Sequence, residues 1–164
     1  MHARTPASVA YLIAVILLWG LAMPAVLISD AGGPTFPWRG PGLVAGGILL
    51  LVAGVVLVDM GARNLAAAGI GLFGVGPGSR LVRSGVHERI RNPIDVGTVL
   101  IAFASWVSLS VELMWVIPAG GLIYFVAGVG PYEDRRLLEV FGDEFKEYRS
   151  AVPKWLPRRR PAGS

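Results

Sequence analysis

Residues able to do acid–base or ligand-binding chemistry gather at two places in this 164-residue chain. The first is the run RIRNPID, residues 89–95, in which Arg91, Asn92 and Asp95 offer a guanidinium, an amide and a carboxylate beside Pro93. The second is the adjacent acid pair Glu133 and Asp134. Such groups can hold the charged end of a ligand or move a proton. By composition alone they equally fit a proline-started, amide-capped helix with snorkelling arginines, and acids complementing a helix dipole. Gly69, Gly71 and Gly74 spell a G-x-G-x-x-G, but no strand precedes it and no βαβ unit surrounds it, so it is not a dinucleotide fingerprint. Close helix packing is the better use of these glycines. Asp59, Arg63 and Asn64 stand at the end of an apolar run, where they either join the polar mouth or simply end a helix. There are no cysteines and only two histidines, which excludes disulfide frameworks, thiolate zinc sites and thiol nucleophiles, and no metal site is expected.

The elements that must position these groups are apolar. Hydrophobic residues make up 54% of the chain and charged residues 16%, against about 25% charged in an ordinary globular domain. The pattern predicts an all-α, polytopic membrane protein with four transmembrane helices and a cytoplasmic amphipathic helical tail, all in one membrane domain. Residues 8–29 carry no charge and form the first expected span, too long for the roughly 7–15-residue core of a signal peptide. A Pro/Gly-rich turn leads to the second, at about 42–62, and the third and fourth are expected at 93–110 and 113–130, separated only by Val111 and Glu112 as a tight hairpin. Between the second and third spans, residues 64–79 are uncharged and rich in glycine, and irregular backbone is expected there after a short continuation of the helix.

The hairpin brings the start of span three beside the end of span four, so the two polar clusters share one mouth. All of the 15 Lys and Arg residues except Arg39 fall on one side of a four-span arrangement, which places both termini in the cytoplasm. Their position flanking apolar runs assigns the basic balance to the bilayer and not to nucleic acid. In the tail, residues 131–164, Leu137, Leu138, Phe141, Phe145 and Tyr148 recur at spacings of three and four and make one apolar face. That face either lies on the lipid headgroups or folds back to close a cavity over the hairpin. Gly142 followed by Asp143 predicts the end of one short helix and the cap of the next.

The run SGVHERIRNPIDVG, residues 84–97, resembles the S-G-x-Y-x-x-x-R-[HN]-P-x-Y-x-G segment of the isoprenylcysteine carboxyl methyltransferase and phospholipid methyltransferase superfamily. The likeness continues through EDRRLLEVFGDEFKEY, residues 133–148, to VPKWLP, residues 152–157, similar to that family's E-E-x-x-L, F-G-x-x-[YF]-x-x-Y and V-P-x-W-[IL]-P succession. It covers residues 84–157, while the first two spans match only as apolar segments.

The resemblance implies an integral membrane methyltransferase using S-adenosylmethionine, with a lipophilic small molecule as methyl acceptor: a prenylated carboxylate, a phospholipid amine or an isoprenoid. Arg91, Asn92, Pro93, Glu133 and Leu137 would bind the cofactor. Glu133, Asp134 and Asp95 would be the catalytic candidates, needed as a base only if the acceptor is an amine or hydroxyl. Three departures stand out: His87 and Asp95 occupy positions where the family usually carries tyrosine, and Asp134 is a shorter acid than the usual second glutamate. Two alternatives differ in kind. A steroid-reductase-like, NADPH-dependent membrane enzyme carries a related R-H-P-N-Y-x-G-E segment, but here Thr98 follows Gly97 where that family has glutamate. A catalytically silent membrane scaffold would keep the helices and lack saturable cofactor binding.

Overall fold

The computed structural model describes residues 40–70, 79–109 and 115–157. Among them the regular elements are all helical, and no strand occurs. Helix α1 spans Pro41–Ala67, a 3-10 turn spans Gly85–Glu88, and α2 spans Pro93–Leu109. Helix α3, Val116–Ile123, runs through a π-helical stretch, Tyr124–Val129, into α4, Gly130–Ala151. The expected first span, 8–29, lies outside the described residues, as do Gly71 and Gly74 of the glycine series.

One described helix, α1, is long and apolar enough to cross a bilayer. Its 27 residues extend about 40 Å, beyond the roughly 30 Å hydrocarbon core. Its outward face is apolar and exposed, with Ile48, Leu49, Val52, Val55 and Val56 uncovered. The other two expected spans read differently in three dimensions. Helix α2 has 17 described residues, about 25 Å, and carries the polar mouth at its N-terminus. Of the stretch expected as span four, 113–130, the described part from Val116 onward is the first part of a helical rod that continues into the tail. Pro131 has no N–H to bond back along this rod, and the turns before it widen: the Gly130 N–H bonds to the Phe125 carbonyl, five residues back.

Helix α1 starts at a first-turn proline after extended Gly40 and stops in a Schellman motif at Gly69, whose φ is +73°. There the Ile70 N–H bonds to the Leu65 carbonyl at 2.9 Å and the Gly69 N–H to Ala66 at 3.0 Å. Helices α1 and α2 pack antiparallel along a glycine seam with a seven-residue repeat, Gly47, Gly54 and Gly61. In a bilayer, where apolar burial gives little drive to association, such close backbone approach is what holds helices together. At Gly54 the approach is to backbone, and an added Cβ would sit 2.7 Å from the Gly97 carbonyl oxygen. Gly46, on the same helix, has nothing within 4 Å of that position. Gly54→Ala is therefore expected to destabilise the purified protein by about 1–3 kcal/mol through overpacking. Gly46→Ala is expected to be neutral or to stabilise by up to about 1 kcal/mol through helix propensity. Thermal unfolding in detergent measures both, and equal shifts would contradict the seam.

The tail folds back. Gly142 adopts φ +53° and ψ −123° inside α4 and turns the chain, as its glycine-then-aspartate sequence suggested. Beyond it Phe145, fully buried, and Tyr148 and Val152 form a core against Leu81, Leu137, Leu138 and Phe141. Of the two fates open to the apolar face of the tail, the structure shows it covering the segment that leads into α2.

Candidate functional site

Extended backbone after α4 pairs with the residues entering α2. The Arg91 N–H bonds to the Pro153 carbonyl at 2.9 Å, and the Asn92 N–H to the Lys154 carbonyl at 3.2 Å. The Arg91 guanidinium is 9% exposed. It donates from Nε to the Val152 carbonyl at 2.9 Å, meets Asp134 at 3.3 Å and lies over the Phe145 ring at 5.6 Å. Lys154 completes the junction. Its ammonium reaches the Gly130 carbonyl at 2.6 Å and Asp134 at 3.0 Å, in space that only a glycine at 130 leaves open. Arg83 adds a hydrogen bond to the Glu144 carbonyl at 2.7 Å and an ion pair with its carboxylate at 3.2 Å.

This junction encloses one side of a cavity of about 510 Å³, within the roughly 300–1,000 Å³ usual for small-ligand sites. Asn92 organises its acidic wall. One amide nitrogen donates to Asp95 Oδ2 at 3.0 Å and to Glu133 Oε2 at 2.9 Å, drawing the two carboxylates together. Burial, with the neighbouring Asp95 charge, raises the Glu133 carboxyl to about 7, against the opposing pull of Lys154 and the Asn92 amide. Glu133 thus changes charge near neutral pH. Much of the remaining wall is apolar, including Leu65, Ile70, Ile94, Phe125 and Val129. Tyr148 donates from its hydroxyl to the His87 carbonyl at 2.7 Å, and burial pushes that phenol up to about 12, so it stays a donor.

Of the residues singled out by sequence, Arg91, Asn92, Pro93, Asp95, Glu133 and Leu137 line this one cavity. Asp134 does not. It is turned toward Arg91 and Lys154 and fastens the tail to α4 instead of facing the interior. At about 100° per residue, the cavity-facing side that carries Tyr132, Glu133, Arg136 and Leu137 ends short of Asp134, which points away from it. Asp59 and Arg63 pair with each other at 2.9 Å on an exposed surface, whereas Asn64 reaches the site and bonds to the Ser84 carbonyl at 2.9 Å. Sequence reasoning passed over Tyr132 and Arg136 as lining residues. The signal was present: Val129, Tyr132, Glu133, Arg136 and Leu137 follow the three-and-four spacing of one helix face.

No protein-family model matches the chain. Over 75 residues, 46% of its length, it is 31% identical to methanethiol S-methyltransferase 1 from Bradyrhizobium diazoefficiens. The similarity is to a methyltransferase. The chain spans a quarter of that relative's length, as the match covers 25% of it. The likeness supports kinship with methyltransferases loosely, on part of each chain.

Proposed function

We propose that this protein is an integral membrane, S-adenosylmethionine-dependent methyltransferase acting on a lipophilic acceptor. The observation that carries this reading is the gathering of Arg91, Asn92, Asp95 and Glu133 on one cavity with largely apolar walls. The similarity to a methyltransferase supports it, and methanethiol, the acceptor in that relative's name, is small and apolar.

The residues fit the cofactor chemically. An acid pair suits a ligand with an ammonium and a sulfonium, the Asn92 amide can hydrogen-bond its polar groups, and the apolar walls suit its flat base. When bound, S-adenosylmethionine supplies an electrophilic methyl group on a positively charged sulfur. Asp95 and Glu133 would bind that positive end and, with Asn92, would fix its orientation, so that positioning would supply much of the rate. Glu133, titrating near 7, can also take the proton of an amine, hydroxyl or thiol acceptor. Arg91 holds the wall in place through the tail and Asp134. In this reading residues 8–29, α1, α2 and 113–130 are the four spans. Both termini are cytoplasmic, the acceptor enters from the bilayer, and the basic tail meets anionic lipid and not nucleic acid.

The test is transfer from methyl-labelled S-adenosylmethionine by detergent-purified protein to a panel of acceptors: a farnesylated cysteine, phosphatidylethanolamine, an isoprenoid acid and methanethiol. Label is expected in at least one product and absent with Glu133→Ala. Label in none, with NADPH consumed on a steroid enone, would favour the reductase.

A further inference from the structure

His87 is not part of the hydrogen-bonded cluster of Asn92, Asp95 and Glu133. It is 5% exposed and lines the same cavity, whose lining also includes Arg80 and the apolar Leu65, Ile70, Leu81 and Val82. Among the described residues its ring is met by one hydrogen-bonding group, Asn64, whose amide nitrogen lies 3.5 Å from Nδ1. That amide is not free to turn over. Its nitrogen already donates to the Ser84 carbonyl at 2.9 Å, and Gly85, at φ +64°, packs so close that a Cβ there would collide with the Asn64 side chain. With that amide nitrogen as the donor facing Nδ1, Nδ1 is the acceptor and the ring proton is assigned to Nε2. Burial lowers the His87 pKa, which keeps the ring neutral.

We propose that His87 is a cofactor-binding residue that donates from Nε2–H to a ring nitrogen of the cofactor's purine, and that Asn64, at the foot of α1, is the positioning residue that fixes its tautomer. The proposal rests on the methyltransferase reading. In that reading the acidic wall takes the ammonium and sulfonium of the ligand, and its uncharged heteroaromatic end is the part that a neutral donor suits. A neutral Nε2–H is matched by an uncharged lone pair, and a purine ring nitrogen offers one without bringing a further charge into a cavity whose walls are largely apolar. The inference also gives α1 a part in the site.

S-adenosylhomocysteine and its 1-deaza, 3-deaza and 7-deaza analogues, titrated into the full-length protein in detergent, test the proposal. His87→Phe is expected to weaken S-adenosylhomocysteine about 10-fold, the worth of one hydrogen bond. One deaza analogue is expected to bind wild type about 10-fold more weakly and to show no further loss in His87→Phe, because both changes remove the same contact. Nitrogen NMR of the imidazole is expected to show wild-type His87 protonated at Nε2 alone, with Nδ1–H appearing in Asn64→Leu. An Nδ1–H wild-type ring overturns the proposal, as does unchanged binding by His87→Phe or a deaza loss that persists in that variant. Absence of any S-adenosylhomocysteine binding by wild type would instead overturn the methyltransferase reading on which it rests.

Discussion

Glu133→Gln is expected to weaken S-adenosylmethionine binding about 100-fold while making the folded protein more stable above pH 7. Both effects have one cause. Glu133 folds into a site that raises its carboxyl from 4.5 to about 7 through burial and the neighbouring Asp95 charge. The folded state thus binds more protons than the unfolded chain between those two values, and stability falls as pH rises across that window. The glutamine keeps the neutral shape and can still accept the Asn92 hydrogen bond. Wild type and variant should match below about pH 4.5. Above pH 7 the variant should gain about 1–2 kcal/mol, a full shift at about 1.4 kcal/mol per unit being discounted for solvent screening of a partly exposed group. The charge that costs stability is the one that would hold the cofactor's positive end, and a charged hydrogen bond worth about 2–3 kcal/mol corresponds to the 100-fold loss. Wild-type affinity should strengthen from pH 6 to pH 8, and the variant's should not. Denaturation and calorimetry at three pH values check this. A variant less stable than wild type at pH 8 would contradict the buried-acid account.

Arg91→Met is expected to be the most damaging single substitution in the tail junction. The guanidinium supports the Val152 carbonyl, Asp134 and the Phe145 ring together. Methionine replaces the apolar stem and leaves the carbonyl without its donor. Breaking a buried pair typically costs about 3–5 kcal/mol; here Asp134 keeps Lys154 at 3.0 Å, so about 2–3 kcal/mol is expected. Cofactor binding should fall with it, because Arg91 and Asn92 pair with the tail through adjacent backbone amides. Limited proteolysis should then cut between Gly142 and Lys154 at least 10-fold faster than in wild type, since local opening follows the lost free energy. Equal cleavage rates would show that the junction does not hold the tail.

The sequence made part of this site legible because helix-start chemistry is local. Asn92 and Pro93 read as an amide and a proline opening a helix, and the hairpin argument drew Glu133 toward them. Asp134 was grouped with Glu133 because the two are adjacent, but it falls just beyond the edge of the cavity-facing side and turns to Arg91 and Lys154. The seven-residue glycine repeat of α1 was overlooked because glycine carries no hydropathy signal, although its spacing was plain. His87 was visible only as a departure from a family pattern. Its direction depends on Tyr148 holding its carbonyl from 61 residues away and on Asn64 fixing its ring, and such contacts follow from the folded tail, not from local preference. Apolar runs mark where chain can enter a bilayer, but not that one run continues as a rod into a polar tail.

Calorimetric titration of S-adenosylmethionine and S-adenosylhomocysteine into the detergent-purified protein, with Glu133→Ala and NADPH as controls, tests the central claim most directly. The account predicts saturable binding of both, lost in Glu133→Ala, and none of NADPH. No binding of either compound by the folded wild type would contradict it, and binding of NADPH alone would move the protein to the reductases.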